Sequence, residues 1–474
     1  MKRIKVASLL AGAALVAMAG AANATDFNIY GASAEFNFWK NAGREFLLNS
    51  TPHCTGTVSS FITATADSKS GIIYATGCDT TVVPDGIVKF RVSNKASFDG
   101  IFAVTQSTDS NGSANTCAAS DRGMADMTAV TDSTASYSCQ TVTVGASDVP
   151  ANAFVQKSIG KLKGPLAAGT DATVTRWFTS GAGIPVTVAA GAPVAPAATY
   201  NPVKVPFGIF VTGNITVKTC TAGPTIGDYC NKDEDCGNGG LCNGGDATGT
   251  VTAFRAIALT DNITREMATQ VFSNTLPNHN WSDFAGFGSL PAVACVRAAG
   301  SGSHATIDLG LMNKAWGKSF PLAAAANQFY YNDSTGNLLD CMNWASTNAK
   351  GAMGYADADV DTTNGGKYAT VIGPLKYNGN YPNSQNIISG NYDLFADQTL
   401  YLAAGADATQ TTLMSNLMTY LNDNTGSHLN TAGYNFKNFW AASSEMKVGR
   451  GNTAATLSPF AYPYRGGQNP TQGL

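Results

Sequence analysis

Residues 27–48 read FNIYGASAEFNFWKNAGREFLL, and the pattern changes period part-way. Phe27–Tyr30 form a short strand-like run, Gly31-Ala32-Ser33 break it, and Phe36, Trp39, Phe46 and Leu47 then recur at close to helical spacing. Strand, small-residue turn and helix in that order are the unit of an α/β fold. Such a turn exposes unpaired backbone N–H groups and the positive end of a helix dipole, which suits an anion, although an ordinary strand-to-helix turn looks the same.

The alternation continues along the chain. Residues 86–104 (GIVKFRVSNKASFDGIFAV) and 140–150 (QTVTVGASDVP) each read as strand then turn, and Val203–Asn214 (VKVPFGIFVTGN) reads as a buried strand. In Thr252–Asn274, Thr260 or Asn262 is placed to cap a helix carrying Met267, Val271 and Phe272. Further elements are expected in 351–360 and 386–404, and Leu413, Leu417 and Leu421 mark an amphipathic helix in 408–424. No repeat of fixed period appears, which disfavours solenoids and propellers.

The chain opens with Met1-Lys2-Arg3-Ile4-Lys5, an apolar run from Val6 to Met18, and small residues ending Ala22-Asn23-Ala24. This is the pattern of a secretory signal peptide, residues 1–24, with cleavage expected after Ala24. The apolar run is too short for a membrane anchor, no cysteine stands at the cleavage point to carry a lipid, and no later stretch is apolar enough to span a bilayer. The expected product is exported, periplasmic or extracellular, and not membrane-spanning. Charged residues are only 13% of the 474, and 29 Lys plus Arg against 32 Asp plus Glu leave a net charge of −3. No basic surface argues for nucleic acid.

Ten cysteines, an even number in an exported chain, fall into sequence-local groups: Cys54 with Cys78, Cys117 with Cys139, Cys220 with Cys230, Cys236 and Cys242, and Cys295 with Cys341. Five disulfides are the economical expectation. The four middle cysteines contain no C-x-x-C and have no nearby histidine, so zinc is the weaker alternative and a stapled surface insertion at about 219–250 the stronger; their pairing stays open among three possibilities.

The stretch Cys295–His304 (CVRAAGSGSH) holds the most suggestive chemistry. Ala292–Val296 reads as a strand and Ala305–Met312 as the opening of a helix. Between them, Gly300 and Gly302 permit close backbone approach, Ser301 and Ser303 supply hydroxyls, and Arg297 supplies a charged fork. Together they make an oxyanion cradle; a plain Gly/Ser loop beside a surface arginine is the alternative. Enzyme motifs fail. GLMNKAWGKS (310–319) puts six residues between its glycines where a P-loop needs four, no serine lies in G-x-S-x-G, and there is no H-E-x-x-H. The four histidines, His53, His279, His304 and His428, read as surface residues. Asp357–Asp361 (DADVD) lacks the glycine and glutamate of a calcium loop and reads as a solvated acidic loop. No catalytic residue, metal site or cofactor is expected.

Several of these segments, in this order, resemble the phosphate-binding proteins of ABC-type uptake, which are type II periplasmic binding proteins. YGASAEFNFWKNAGREF is similar to that family's opening turn and helix, VTVGASDVP to its G-A-S-D-x-P, PFGIFV to its crossover strand, and CVRAAGSGSH stands in place of R-x-x-G-S-G-T. GAMGYADAD and SGNYDLFADQTLYL fall at later landmarks, so the resemblance runs from about residue 27 to 404. It implies a two-lobed α/β protein with hinge crossovers that closes over an oxyanion, phosphate or a relative of it, without chemistry and with an ABC permease as a possible partner. Lobe 1 would take 25–205 and 389–474, and lobe 2 206–388. Carried over by position, Glu35 and Phe36 occupy the ligand-binding Thr-Phe place, Ser97 a ligand serine, Asp148 the acceptor of the ligand's proton, and Arg297, Ser301, Gly302 and Ser303 the far-lobe clamp. Two departures stand out. Glu35 replaces a hydroxyl donor, and Ala299 replaces the aspartate that steadies the arginine. A rival expectation is therefore a secreted structural or surface-interaction protein that keeps the fold with an altered or lost site.

Overall fold

The computed structural model describes residues 24–105, 117, 121–151, 157–159, 173–175, 196–224, 230, 233–242, 254–256, 262–298, 300–312, 320–321, 328–360, 362, 368–422, 430–431, 434–435, 439–450 and 463–465. The signal peptide apart from Ala24, most of the P-loop-like stretch, Ala299, Asp361 and His428 lie outside them.

The chain is α/β, built on two mixed sheets. Across the first, the strands run Ala198–Tyr200, Thr399–Leu402, Val144–Ser147, Thr25–Gly31, Ile87–Asn94, Asp67–Thr76 and Ile62–Ala64. Thr25–Gly31 lies parallel to both Ile87–Asn94 and Val144–Ser147, so three strands end at the same edge. The second sheet runs Asn262–Ile263, Val371–Tyr377, Val203–Thr212, Gly351–Asp357, Ala292–Arg297 and Phe329–Asn332, the last three mutually parallel. Val203–Thr212 joins the two halves. Val203, Val205 and Phe207 pack in the first hydrophobic core, while Ile209 and Val211 pack in the second. Its first half also pairs with Phe395–Asp397, the segment by which the chain returns.

The opening stretch folds as its pattern predicts: strand Thr25–Gly31, a single 3-10 turn at Ser33–Glu35, and helix Phe36–Asn49, which buries Phe38, Trp39, Phe46 and Leu47. Val203–Thr212 is the expected buried strand, and helix Ala408–Leu421 buries Leu413, Leu417 and Leu421. Three expectations need correction. Residues 97–105 form a helix, not a turn, and every residue in it is buried. It is buried on all sides, so it shows no amphipathic period, and it reaches the sheet through backbone contact: a Cβ on Gly100 would lie 2.1 Å from the Ala146 carbonyl. The helix near residue 265 starts at Arg265 and is capped by Thr264, whose side chain accepts from the Met267 amide, not by Asn262, and Thr260 lies outside the described residues. The helix after Arg297 begins at Gly302, three residues earlier than its apolar pattern suggests, because Ser301 caps it.

All ten cysteines are paired. The pairs are Cys54–Cys78, Cys117–Cys139, Cys220–Cys236, Cys230–Cys242 and Cys295–Cys341, which closes the question left by the middle four. Those four form a small core of their own beside the short hairpin Cys220–Ala222 and Leu241–Cys242. The sulfurs of Cys220, Cys230 and Cys236 lie within 4.8 Å of one another, as two adjoining disulfides require, and bonded sulfurs have no thiolate to offer a metal. Among the described residues no helix is long and apolar enough to cross a membrane.

Candidate functional site

Parallel strands that end at one edge place whatever follows them side by side, and in α/β sheets this edge is where ligands bind. In the first half, Glu35 follows Thr25–Gly31, Ser97 follows Ile87–Asn94, and Asp148 follows Val144–Ser147. In the second, Arg297 ends its strand, Ser301–Ser303 follow it, Asp333 and Thr335 follow Phe329–Asn332, and Asp357 ends Gly351–Asp357. The two edges meet. The Gly302 amide donates to Ser97 Oγ at 3.1 Å, and the Phe98 amide donates to the Gly300 carbonyl at 3.1 Å. Ser97 Oγ in turn donates to Asp148 Oδ2 at 2.7 Å. Gly302 is compulsory here, since a Cβ would fall 2.4 Å from Ser97 Oγ and 2.7 Å from Asp148 Oδ2.

Asp148 is buried, and its Oδ1 has no hydrogen-bond partner. Desolvation raises its carboxyl to about 6, against the pull of the Ser97 hydrogen bond and the Arg297 charge. Arg297 is 2% exposed. Its Nη1 donates to Thr335 Oγ1 at 2.9 Å and its Nη2 to the Asp333 carbonyl at 3.2 Å, while Nε has no partner. Burial draws its pKa down, and the charge of Asp357 is the largest influence opposing this. Thr335 and the Asp333 carbonyl thus hold the fork, and Asp357 closes the neighbouring strand beside it.

Glu35 is completely buried. Its Oε2 accepts from Trp39 Nε1 at 2.8 Å and from Gln398 Nε2 at 2.7 Å, and Oε1 has no partner. Desolvation first, then the charge of Asp148, holds its pKa well above the usual carboxylate value, with the two hydrogen bonds opposing. Phe36 is turned elsewhere, its ring edge-on to Phe61 at 5.4 Å. The hydroxyls of Ser301 and Ser303 lie 2.7 Å apart, and Ser301 Oγ also caps the helix by accepting from the His304 amide at 3.4 Å. The structure therefore brings Glu35, Ser97, Asp148, Arg297, Ser301, Gly302 and Ser303 to one region where the two sheet edges meet.

Two expectations are overturned at this site. His304 is not on the surface but 1% exposed, stacked on Phe320 with ring centroids 4.3 Å apart. Burial, seconded by the Arg297 charge, lowers its pKa to about 3, so it is neutral. Tyr355 Oη accepts from the Arg297 amide at 3.0 Å and lies 2.9 Å from His304 Nδ1; giving its own proton there leaves the imidazole proton on Nε2, which has no partner. His53 is exposed, as expected. Nor is Asp357–Asp361 a solvated loop over its described part: Asp357 is 9% exposed and Asp359 8%. Desolvation, with the Asp359 and Asp148 charges adding to it, raises Asp357 to about 8. Trp440 Nε1 donates to Asp359 Oδ2 at 3.2 Å. Alternating carboxylates look solvated in sequence. The usable signal was position, since Asp357 closes a strand that runs parallel to the one ending at Arg297.

No family model and no curated protein matches this chain. Solved structures similar to it include a putative phosphate ABC transporter substrate-binding protein from Clostridium perfringens with bound phosphate, at 10% identity and a TM-score of 0.39 over 83% of this chain and 93% of that one. An ABC-type phosphate transport receptor from Vibrio cholerae aligns at 15% identity and 0.30 over 50% of this chain and 71% of that one. PstS from Borrelia burgdorferi aligns at 15% and 0.28 over 50% and 70%. Scores this low carry no functional argument, which rests on the residues themselves.

Proposed function

We propose that this is an exported solute-binding protein that captures an oxyanion, phosphate before others, between its two lobes and performs no chemistry on it. The lobes are residues 25–205 with 389–474, and 206–388. The observation that carries the reading is the pair of buried groups without protein partners on the two meeting edges, Arg297 Nε from one side and Asp148 Oδ1 from the other. A buried cationic donor and a buried carboxylate oxygen are each costly to leave unpaired. A protonated oxyanion satisfies both at once, accepting from Arg297 and donating its O–H to Asp148. Sulfate, with no proton to give, meets only repulsion at Asp148. Glu35, Phe36, Ser97, Ser301, Gly302 and Ser303 belong to the same reading as the remaining wall. Five disulfides fit a chain that folds in an oxidising compartment, periplasmic or extracellular. An ABC permease is the partner such a role implies.

One observation favours a second reading. Ser97 and Gly302, two of the ligand groups, already satisfy each other across the lobes. A surface-interaction protein with a closed, unused site would look the same there. Thermal shift of the purified protein with phosphate, arsenate, sulfate and phosphonates separates the two, because a ligand that binds only the native state raises its melting temperature. A rise with phosphate and none with sulfate is expected; no shift with any oxyanion overturns the first reading in favour of the second.

A further inference from the structure

We infer that Glu35 works as a neutral carboxylic acid that donates a hydrogen bond from Oε1 to the captured oxyanion, taking over the task of a hydroxyl. The inference rests on the oxyanion reading above and goes beyond it, because a carboxyl at this place looks at first sight like an obstacle to an anion.

The bonding pattern points to the acid form. Oε2 accepts two N–H bonds, from Trp39 Nε1 at 2.8 Å and Gln398 Nε2 at 2.7 Å, as a carbonyl oxygen does with its two lone pairs. Oε1 has neither a donor nor an acceptor beside it and is sealed from water, since the residue is 0% exposed. A carboxylate arranged this way would leave half its charge bare, whereas an acid needs only one acceptor for its O–H. Trp39 cannot exchange roles, because indole is a donor only, and this fixes Oε2 as an acceptor. The charged groups facing Glu35 agree. Asp148 approaches from its own lobe and Asp357 from the other, both acidic groups whose charge, wherever present, opposes ionisation of Glu35, and Arg297 is engaged with Thr335 and the Asp333 carbonyl instead of pairing with Glu35. Like charges around a desolvated carboxyl keep its proton in place.

The result is a site with complementary hands. Asp148 Oδ1 takes a proton-bearing oxygen, while Glu35 Oε1–H and Arg297 Nε–H give to bare oxygens. A carboxylic acid held neutral in an apolar setting is an effective donor to an oxyanion.

The test uses the full-length mature protein and inorganic phosphate at pH 7. In calorimetry, Glu35→Ala is expected to weaken phosphate binding at least tenfold, and Glu35→Gln, which keeps a neutral donor, to recover most of that loss. In infrared difference spectra, the wild type is expected to show a protonated-carboxyl carbonyl band that is absent from Glu35→Gln and moves when phosphate is added. A merely structural role would not move that band. The inference is overturned if Glu35→Gln binds as poorly as Glu35→Ala, if the band is missing, or if phosphate leaves it unmoved. Failure of the wild type to bind phosphate overturns the oxyanion reading and this role with it; binding with an unmoved band overturns this role alone.

Discussion

Gly302 gives its amide proton to Ser97 across 205 residues of sequence, at 3.1 Å, and this bond joins the two sheet edges at the point where the candidate ligand groups converge. The contact leaves no room for a side chain. Gly302→Ala is expected to push Ser97 and Asp148 away and part the two sheet edges, at a cost of about 1–3 kcal/mol. Gly310→Ala is the control, because nothing lies within 4 Å of its Cβ position. Urea unfolding and small-angle scattering check this: the first variant should be less stable and more extended, the second unchanged.

Arg297→Lys keeps the charge and removes the fork that reaches Thr335 Oγ1 and the Asp333 carbonyl together. Phosphate binding by calorimetry is expected to weaken at least tenfold, with far-ultraviolet circular dichroism unchanged. Unchanged affinity would remove Arg297 from the site.

The pH dependence of stability has a definite sign. Asp148, at about 6, and Asp357, at about 8, hold protons more tightly folded than at their ordinary value of 3.8. Glu35 does the same. Their stabilisation is complete below the ordinary carboxyl range and is lost as pH rises through the folded values. His304 has the opposite slope: lowered from 6.5 to about 3, it destabilises the fold only as pH falls below 6.5. Between pH 6.5 and 8 the carboxyls act alone, so ligand-free stability should fall, by up to about 1.4 kcal/mol per pH unit for each group still protonated. Asp357→Asn should make that fall shallower. Urea titrations at pH 6.5, 7.25 and 8 decide it, and a wild type that gains stability across the window contradicts the burial of these groups.

Cys295–Cys341 ties the strand that ends at Arg297 to helix Thr335–Thr347, whose first residue holds the guanidinium. Its 46-residue separation makes the constraint worth up to about 4 kcal/mol in chain entropy. Replacing both cysteines by alanine should lower stability and weaken phosphate binding. The same replacement at Cys230–Cys242, in the separate small core, should leave phosphate binding unaltered, and calorimetry on both variants distinguishes them.

Much of the fold was legible because its elements carry a period. Helix Phe36–Asn49 shows one apolar stripe, and Val203–Thr212 is an apolar run of strand length bounded by Pro202 and Gly213. Helix Ser97–Thr105 was not, because burial on every side erases the stripe that betrays a helix. Of the site, Arg297 was visible beside an apolar strand and a Gly/Ser loop, and Asp148 only through the resemblance of VTVGASDVP to G-A-S-D-x-P. Asp357 and His304 were not, since their burial is imposed by the meeting of two edges from distant parts of the chain, and no local pattern encodes that. Gln398, which holds Glu35 from 363 residues away, is the extreme case.

Strand Thr399–Leu402 lies between Val144–Ser147 and Ala198–Tyr200, so the first sheet is missing an inner member until almost the whole chain exists. Residues 25–200 alone would leave Val144–Ser147 as a bare edge and Ala198–Tyr200 without a neighbour. Completion of the first sheet waits for residues 399–402 to arrive, a late closure of high contact order that should slow folding.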